Sequence, residues 1–361
     1  DCASAYQCLS SVLAVIDAKS YAPILRGVLF ERVGDEVRAR ATDLGVHVAV
    51  ALDGEGDGAF LADGVLLKKA LVAARKAKLS IELAAGGARL AETVLPLVRD
   101  SKYPPTDFSV FPEIPKKLDG ELSKDVIDAI RRAWPFASTD NTRHTMNSVA
   151  LLADVGGRCA VASTNGHRLL ATYFDDLPIA AAAEKVPGGP KSLIIPLKAA
   201  GILGAVGVPV AVDFTGEILR ARSGSYELAI KVVNGGFPEI AQVIPKGRGK
   251  TVVEFDSGAW RAKLDILAAS LDRYEKGVKF DFAHGKAYAS AGLSKIELPV
   301  LHIRGPELAI GLNASYLIGA LVVAKETDGR CILRADDEMN PVRVEYPDLP
   351  DVVCVMMPIR I

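Results

Sequence analysis

The stretch Ser123-Lys124-Asp125-Val126-Ile127-Asp128-Ala129-Ile130-Arg131-Arg132-Ala133-Trp134 reads as an amphipathic helix, with Val126, Ile127 and Ile130 at helical spacing behind a Ser in the N-cap position. Two other segments carry the same pattern. Asp1 to Ile16 places Leu9, Val12, Val15 and Ile16 on one face, and Asp256 to Leu271 places Trp260, Leu264, Ile266, Leu267 and Leu271. Each helix is followed by two strand-like pieces: Gly27 to Arg32 and Val37 to Asp43, Asn147 to Ala153 and Arg158 to Thr164, Gly277 to Ala283 and Lys286 to Ala291. The spacings agree, with 121 residues from Val28 to Val149 and 122 from Thr42 to Thr164. A repeat of this length decides the architecture before any single motif does.

A second half-unit recurs in which a short apolar strand runs into a helix: Ala59 to Leu71, Ser192 to Leu203 and Leu308 to Leu321. Phe111-Pro112-Glu113-Ile114 and Phe237-Pro238-Glu239-Ile240 lie 126 residues apart, and prolines Pro115 and Pro245 follow them. Such punctuation marks connectors. The expected organisation is three tandem α+β domains, residues 1–116, 117–247 and 248–361, each with two helices and many short strands. Tandem units of this kind suit an arc, and two arcs related by a two-fold axis close a ring.

Composition narrows the function. Half of the 361 residues are hydrophobic and 24% are charged, which describes a chain with large cores. No run of 18 apolar residues occurs, and the first residues lack a basic segment followed by an apolar one, so a soluble, cytoplasmic protein without membrane contact is expected. Cys2, Cys8, Cys159, Cys331 and Cys354 are scattered, as buried, reduced thiols would be. A formal net charge of -1 excludes a protein that coats nucleic acid through bulk charge, but not one with a local basic lining. Leu66 to Ser80 carries Lys68, Lys69, Arg75, Lys76 and Lys78 without an acid and is expected to be one cationic amphipathic helix. His47, His144, His167, His284 and His302 lack metal-ligand spacing, and the Gly-rich runs 187–190 and 204–207 lack the Lys-Ser or Lys-Thr of a P-loop and read as turns. No cofactor or metal is expected. A polar site built from Asp140, Arg143, His167 and Arg168 is the enzyme reading that these residues leave open.

The segments Ser138-Thr139-Asp140-Asn141-Thr142-Arg143-His144, Met146-Asn147 and Ala162-Ser163-Thr164-Asn165-Gly166-His167-Arg168-Leu169 resemble the middle-domain signature of the bacterial DNA sliding clamps, the beta subunits of DNA polymerase III. Gly236-Phe237-Pro238-Glu239 with Val243-Ile244-Pro245, and the end Val355-Met356-Met357-Pro358-Ile359-Arg360-Ile361, resemble two further clamp segments. The resemblance spans nearly the whole chain. The family has a short strand before its first helix, whereas this sequence opens almost at the helix, as a trimmed or divergent start would.

The resemblance implies a head-to-tail homodimeric ring around duplex DNA, with no catalytic site. Lysine and arginine side chains on its inner helices would touch phosphates, which gives affinity without sequence information and so permits sliding. The expected lining comprises Lys19, Lys68, Lys69, Arg75, Lys124, Arg131, Arg132, Lys198, Arg261 and Lys263. It also implies a pocket for short peptides of the polymerase III alpha subunit, the clamp loader, and other polymerases and repair proteins. Carried over residue by residue, that pocket comprises Met146, Thr164, Gly166, His167, Arg168, Leu169, Pro238, Val243, Asn313, Tyr316, Val355, Met356, Met357, Pro358 and Ile359. His167 and Arg168 would serve as donors at its rim. Met356 and Met357 would let it serve several partners. Glu275, Gln242 and Ile359 depart from common clamp residues, which leaves partner preference open and keeps a clamp-like paralogue or decoy as the alternative reading.

Overall fold

A computed structural model describes residues 2–53, 58–73, 81–84, 87–90, 93–96, 114–115, 118–184, 192–269, 271 and 277–360. Its first third runs α1 (Cys2–Val15), α2 (Pro23–Arg26), β1 (Gly27–Val33), β2 (Glu36–Thr42), β3 (Val46–Leu52), β4 (Ala59–Asp63), α3 (Gly64–Ala73), β5 (Ile81–Ala84), β6 (Gly87–Leu90) and β7 (Thr93–Pro96). The second runs β8 (Gly120–Leu122), α4 (Lys124–Ala133), β9 (Ser148–Leu152), β10 (Cys159–Thr164), β11 (Arg168–Phe174), α5 (Pro178–Glu184), β12 (Ser192–Pro196), α6 (Leu197–Val206), β13 (Val210–Phe214), β14 (Ile218–Ser223) and β15 (Tyr226–Lys231). The last runs β16 (Thr251–Asp256), α7 (Ser257–Ala269), β17 (Gly277–Ala283), β18 (Lys286–Ala291), β19 (Ser294–Leu298), β20 (His302–Arg304), β21 (Leu308–Asn313), α8 (Ala314–Val323), β22 (Arg330–Ala335), β23 (Val342–Glu345) and β24 (Val352–Met356). The repeat is therefore helix, three strands, one strand into a second helix, then three strands.

Local chemistry explains the helix starts. Ser123 Oγ accepts from the Val126 amide at 3.4 Å, and Asp256 Oδ1 accepts from the Ala259 amide at 2.7 Å, as their N-cap positions require. Asp63 and Asn313, the last residues of the strands that enter second helices, cap α3 and α8 in the same way. Gly204 to Val206, expected as part of a turn, instead completes α6. Only Gly207 leaves the helix, at φ +70. Two small residues continue a helix whose buried face is already set by Ala199, Ala200, Ile202 and Leu203, and the left-handed glycine ends it. The cationic helix expected over Leu66 to Ser80 is described as α3 up to Ala73, with Leu67 and Leu71 buried and Lys68 and Lys69 exposed.

The chain divides into two compact units, Asp1–Asp128 with Ala182–Pro190 and Ile195–Val233, and Ala129–Ala181 with Lys191–Ile194 and Asn234–Ile361. The first holds an eight-stranded sheet in the order β4-β1-β2-β3-β15-β14-β13-β8 and the three-stranded sheet β5-β6-β7. The second holds a nine-stranded sheet, β12-β9-β10-β11-β24-β23-β22-β16-β20, and the four-stranded sheet β19-β18-β17-β21. Both large sheets are joints between successive repeats. Antiparallel β3 and β15 pair from Val46↔Ile230 to Val50↔Tyr226, and antiparallel β11 and β24 pair from Arg168↔Met356 to Thr172↔Val352. In each joint the third strand of one repeat meets the last strand of the next. The corresponding strands in the two small sheets, β19 and β7, are left at sheet edges.

The core of the last third is built around Trp260, fully buried on α7, whose ring stacks on Phe255 at 3.7 Å between centroids and whose Nε1 donates to the Pro299 carbonyl at 2.7 Å. Under the joint sheet, burial pushes the thiols of Cys331 and Cys354 up to about 12. A raised folded-state pKa favours folding while the unfolded thiol is still protonated, so this contribution is complete below the ordinary cysteine pKa of 9.0 and is lost as pH climbs toward 12. Denaturant titrations should show stability falling over that alkaline interval, with Cys354→Ala flattening the fall. Trp260→Ala should cost about 3–5 kcal/mol in the same measurement.

Candidate functional site

β10 and β11 are joined by the turn Asn165-Gly166-His167, and its geometry follows from its residues. Gly166 takes φ +88, a left-handed conformation that suits glycine. Asn165 Oδ1 accepts from the amides of His167 and Arg168, both at 3.0 Å, and Thr164 Oγ1 donates to the Arg168 carbonyl at 2.7 Å while accepting from the Gly166 amide at 3.1 Å. A turn held this tightly fixes where Arg168 starts. Its guanidinium then lies between two rings, 4.9 Å from the centroid of Phe136 and 4.8 Å from that of Tyr316, and one Nη donates to the Pro135 carbonyl. Burial lowers the Arg168 pKa, while the Tyr316 hydroxyl acts in the opposite sense. Gly319 on α8 leaves room for this arrangement, since a Cβ there would stand 2.9 Å from Arg168 Nη1.

Tyr316 is placed from the other side. Asn313 caps α8 by accepting from the Tyr316 amide at 3.3 Å, and the Tyr316 hydroxyl accepts from Asn165 Nδ2 at 3.1 Å. The end of the chain is stitched on by backbone. The Met357 amide donates to the His167 carbonyl at 2.8 Å, and the Ile359 amide to the Gly311 carbonyl at 2.9 Å. Thr164, Gly166, His167, Arg168, Leu169, Asn313, Tyr316, Val355, Met356, Met357 and Ile359 thus fall on one continuous network of turn, ladder and tail.

The loop that carries Arg143 and Thr145 stands beside it. A Cβ on Gly166 would sit 3.6 Å from Arg143 Nη1, and one on Gly235 would sit 2.9 Å from Thr145 Cγ2. Met146 lies in the loop they touch, half-buried, with its carbonyl accepting from the Ser138 amide at 2.9 Å. Pro238 and Val243 are exposed on either side of a short 3-10 turn at Ile240–Gln242. Pro358 is half-buried between the two tail hydrogen bonds.

The structure corrects two expectations about side chains. Arg168 is not a free donor at a rim, because its guanidinium is committed to two rings and a carbonyl; His167 is the exposed member of the pair. Met356 is 1% exposed and belongs to the sheet interior, whereas Met357, past the end of β24, is 38% exposed, so only one thioether faces outward. Sequence reasoning also missed Pro135, Phe136, Asn165 and Gly319. Asn165 and Gly166 were readable as a turn, but nothing in Trp134-Pro135-Phe136 announces an arginine partner 32 residues away.

The expected lining cations stand differently. Lys19, Lys68, Lys69 and Lys263 are exposed and make no ion pair among the described residues, whereas Arg75, like Glu275, lies outside them. The others are held by acids: Lys124 to Asp128 at 2.6 Å, Arg131 and Arg132 to Glu326 at 2.9 and 3.0 Å, and Arg261 to Asp265 at 3.5 Å. Lys198 bonds Asp43 and also donates to the Val15 carbonyl at 3.2 Å. These five are half-engaged rather than open cations. No helix among the described residues is long and apolar enough to cross a membrane.

No family model matches the chain. Curated proteins do, along almost its full length. The beta sliding clamp of Pseudomonas aeruginosa is 25% identical over 378 residues, covering 98% of this chain and 96% of that protein, and that of Caulobacter vibrioides is 26% identical over 386 residues, covering 99% and 98%. Along almost its full length the chain is similar to beta sliding clamps. Its fold is the DNA clamp fold: the Bartonella birtlesii clamp structure superposes with a TM-score of 0.78 at 21% identity, covering 100% of this chain and 98% of that one, and the Thermotoga maritima beta subunit with 0.76 at 18% over the same shares. The clamps it resembles are non-catalytic processivity factors, and that likeness speaks against the enzyme reading of Asp140, Arg143, His167 and Arg168. Asp140 serves its own loop instead, accepting from the amide and hydroxyl of Thr142 at 2.9 and 2.7 Å.

Because the Arg168 guanidinium serves as packing surface as well as donor, its removal strands the Pro135 carbonyl and leaves a gap between rings. Arg168→Ala should cost about 2–3 kcal/mol in denaturant unfolding, and Arg168→Lys should restore less than half of it, since an ammonium does not stack as a planar guanidinium does.

Proposed function

We propose that two copies of this chain close head to tail around duplex DNA and tether polymerases through the network centred on Arg168 and Tyr316, so that synthesis becomes processive. The observation that carries this reading is the repeat of the joints. The third strand of one repeat pairs with the last strand of the next at β3–β15 and β11–β24, and the same rule applied to the strands left over pairs β19 of one copy with β7 of another. The helices follow the same rule. α1 packs on α6, α4 bonds the turn after α8, and α7 is left to meet α3 of the second copy. The solvent-facing apolar residues fit that contact: Ile266 on α7 is 73% exposed, and Leu66 and Val72 on α3 are 37% and 55% exposed. The domain limits that suit this scheme are residues 1–116, 117–247 and 248–361, and a cytoplasmic location beside the chromosome suits the task.

Inside such a ring, Lys19, Lys68, Lys69 and Lys263, which have no ion-pair partner among the described residues, are ready to meet phosphates. On the outside, the exposed apolar side chains of Val243 and Met357 suit the leucine and phenylalanine of short linear motifs, and the exposed His167, whose carbonyl accepts from the Met357 amide, offers a donor. Partners of that kind include the polymerase III alpha subunit, the clamp loader, and other polymerases and repair proteins. The two pockets of a dimer would add multivalency to weak single contacts.

A fluorescent Gln-Leu-Ser-Leu-Phe peptide should bind the full chain with a Kd of about 1 μM, roughly -8 kcal/mol, and lose binding when Met357 to Ile361 are removed. Retention of binding by the shortened chain would reject the pocket. Ile266→Glu should convert dimer to monomer in analytical ultracentrifugation without lowering peptide affinity. Primer extension by the cognate polymerase should lengthen with the dimer; a folded dimer that binds peptide yet leaves extension unchanged would favour the paralogue or decoy.

A further inference from the structure

Glu326 stands in the short 3-10 turn Ala324–Glu326 that follows α8, and it holds two arginines at once. Its Oε1 is 2.9 Å from Arg131 Nη2 and its Oε2 is 3.0 Å from Arg132 Nη1. A carboxylate bridging adjacent guanidiniums has the charge and the oxygen spacing of a phosphodiester's two free oxygens. The three groups differ in accessibility: the side chain of Arg131 is 48% exposed, that of Glu326 29% and that of Arg132 11%. Arg132 Nε is buried without an acceptor among the described residues. Two guanidiniums against one carboxylate leave the cluster net positive by one charge.

Lys325 is exposed beside Glu326, and Asp128, one turn earlier on α4, pairs with Lys124 at 2.6 Å. The carbonyl end of α4 opposes an anion but favours the arginines placed in its last turn.

We infer that Arg131 and Arg132 form a phosphate-binding site in which Glu326 is a resident surrogate, displaced or joined by the DNA backbone when the duplex passes. The inference rests on the DNA-encircling reading above. Glu326 keeps two arginines extended and in register in the absence of DNA, which lowers the ordering cost of binding. It also competes with the duplex, which weakens the hold and keeps the clamp mobile. Glu326 is thus a positioning residue that sets the strength and salt response of DNA contact.

The test is fluorescence anisotropy of a labelled ~30 base-pair duplex titrated with the intact dimer at about 50 and about 200 mM salt. Glu326→Gln keeps shape and acceptor but frees the charge of both arginines. Its affinity at the lower salt should rise above that of the native protein, and two added phosphate contacts should make this advantage shrink about ten-fold across the interval. Arg131→Gln should then cost about three-fold more in the Glu326→Gln background than in the native one. A Glu326→Gln dimer that melts like the native protein but shows the same affinity and salt slope overturns the inference and leaves Glu326 as a brace. If that variant does not fold, Glu326→Asp, too short to bridge both arginines, should give a smaller gain, and no gain from it rejects the surrogate role. Absence of any salt-dependent duplex binding by the native dimer instead rejects the DNA reading itself.

Discussion

The antiparallel ladder between β11 and β24 holds the rest of the site in place. Its first register pair, Arg168↔Met356, puts the turn after β10 and the tail after β24 side by side, and the Met357 amide continues the ladder by donating to the His167 carbonyl. Everything that distinguishes the site hangs on this register. A slip of one residue would turn Arg168 to the other face of the sheet, away from Phe136 and Tyr316. The pairs that enforce it are interior ones, Leu169↔Val355 and Leu170↔Cys354, all four residues being buried.

The same construction recurs between β3 and β15, where Val46, Val48, Val50, Leu228, Ala229 and Ile230 are buried. Repetition of a joint is a stronger statement than repetition of a domain, because two separate ladders use the same pair of edges. Charge is then arranged around the joints. Glu227 on β15 pairs with Arg38 on β2 and Arg222 on β14, and Arg222 also donates to the Ile114 carbonyl at 2.9 Å. Arg343 on β23 pairs with Glu345 and donates to the Pro245 carbonyl at 2.8 Å. At Ile114 and at Pro245 an arginine from the following repeat holds a connector carbonyl to its sheet.

Much of this was legible in the sequence, for definite reasons. The helices, the leading strands and their caps could be read because Ser123, Asp256 and the 3.6-residue spacing act locally. The turn at Asn165-Gly166 carries a local signal of the same kind, but it was not read as one. The commitments of long side chains were not. Arg168 between two rings, Lys198 on Asp43 and the arginines on Glu326 depend on groups 30 to nearly 200 residues distant, and a helical pattern reports only which face a lysine or arginine occupies. Met356 and Met357 show the limit most simply: adjacent thioethers with one spelling, one inside the sheet and one beyond its end.

The edge of β19, unpaired among the described residues, carries a further consequence. A repeat that displays the same kind of edge its own joints use is, in principle, the monomer of a polymer, because a head-to-tail contact gives a closed ring only if its rotation comes round and an open filament otherwise. β19 is not a bare template for such growth. Along it Ser294, Lys295 and Glu297 are exposed, Lys295 lies over the Tyr288 ring at 4.4 Å, and Glu297 pairs with Lys286 at 3.5 Å. Charges on an edge strand discourage indiscriminate pairing while leaving the backbone donors and acceptors available to one matched partner. In a single subunit, this edge therefore resists fibrous self-assembly without being closed to a matched partner.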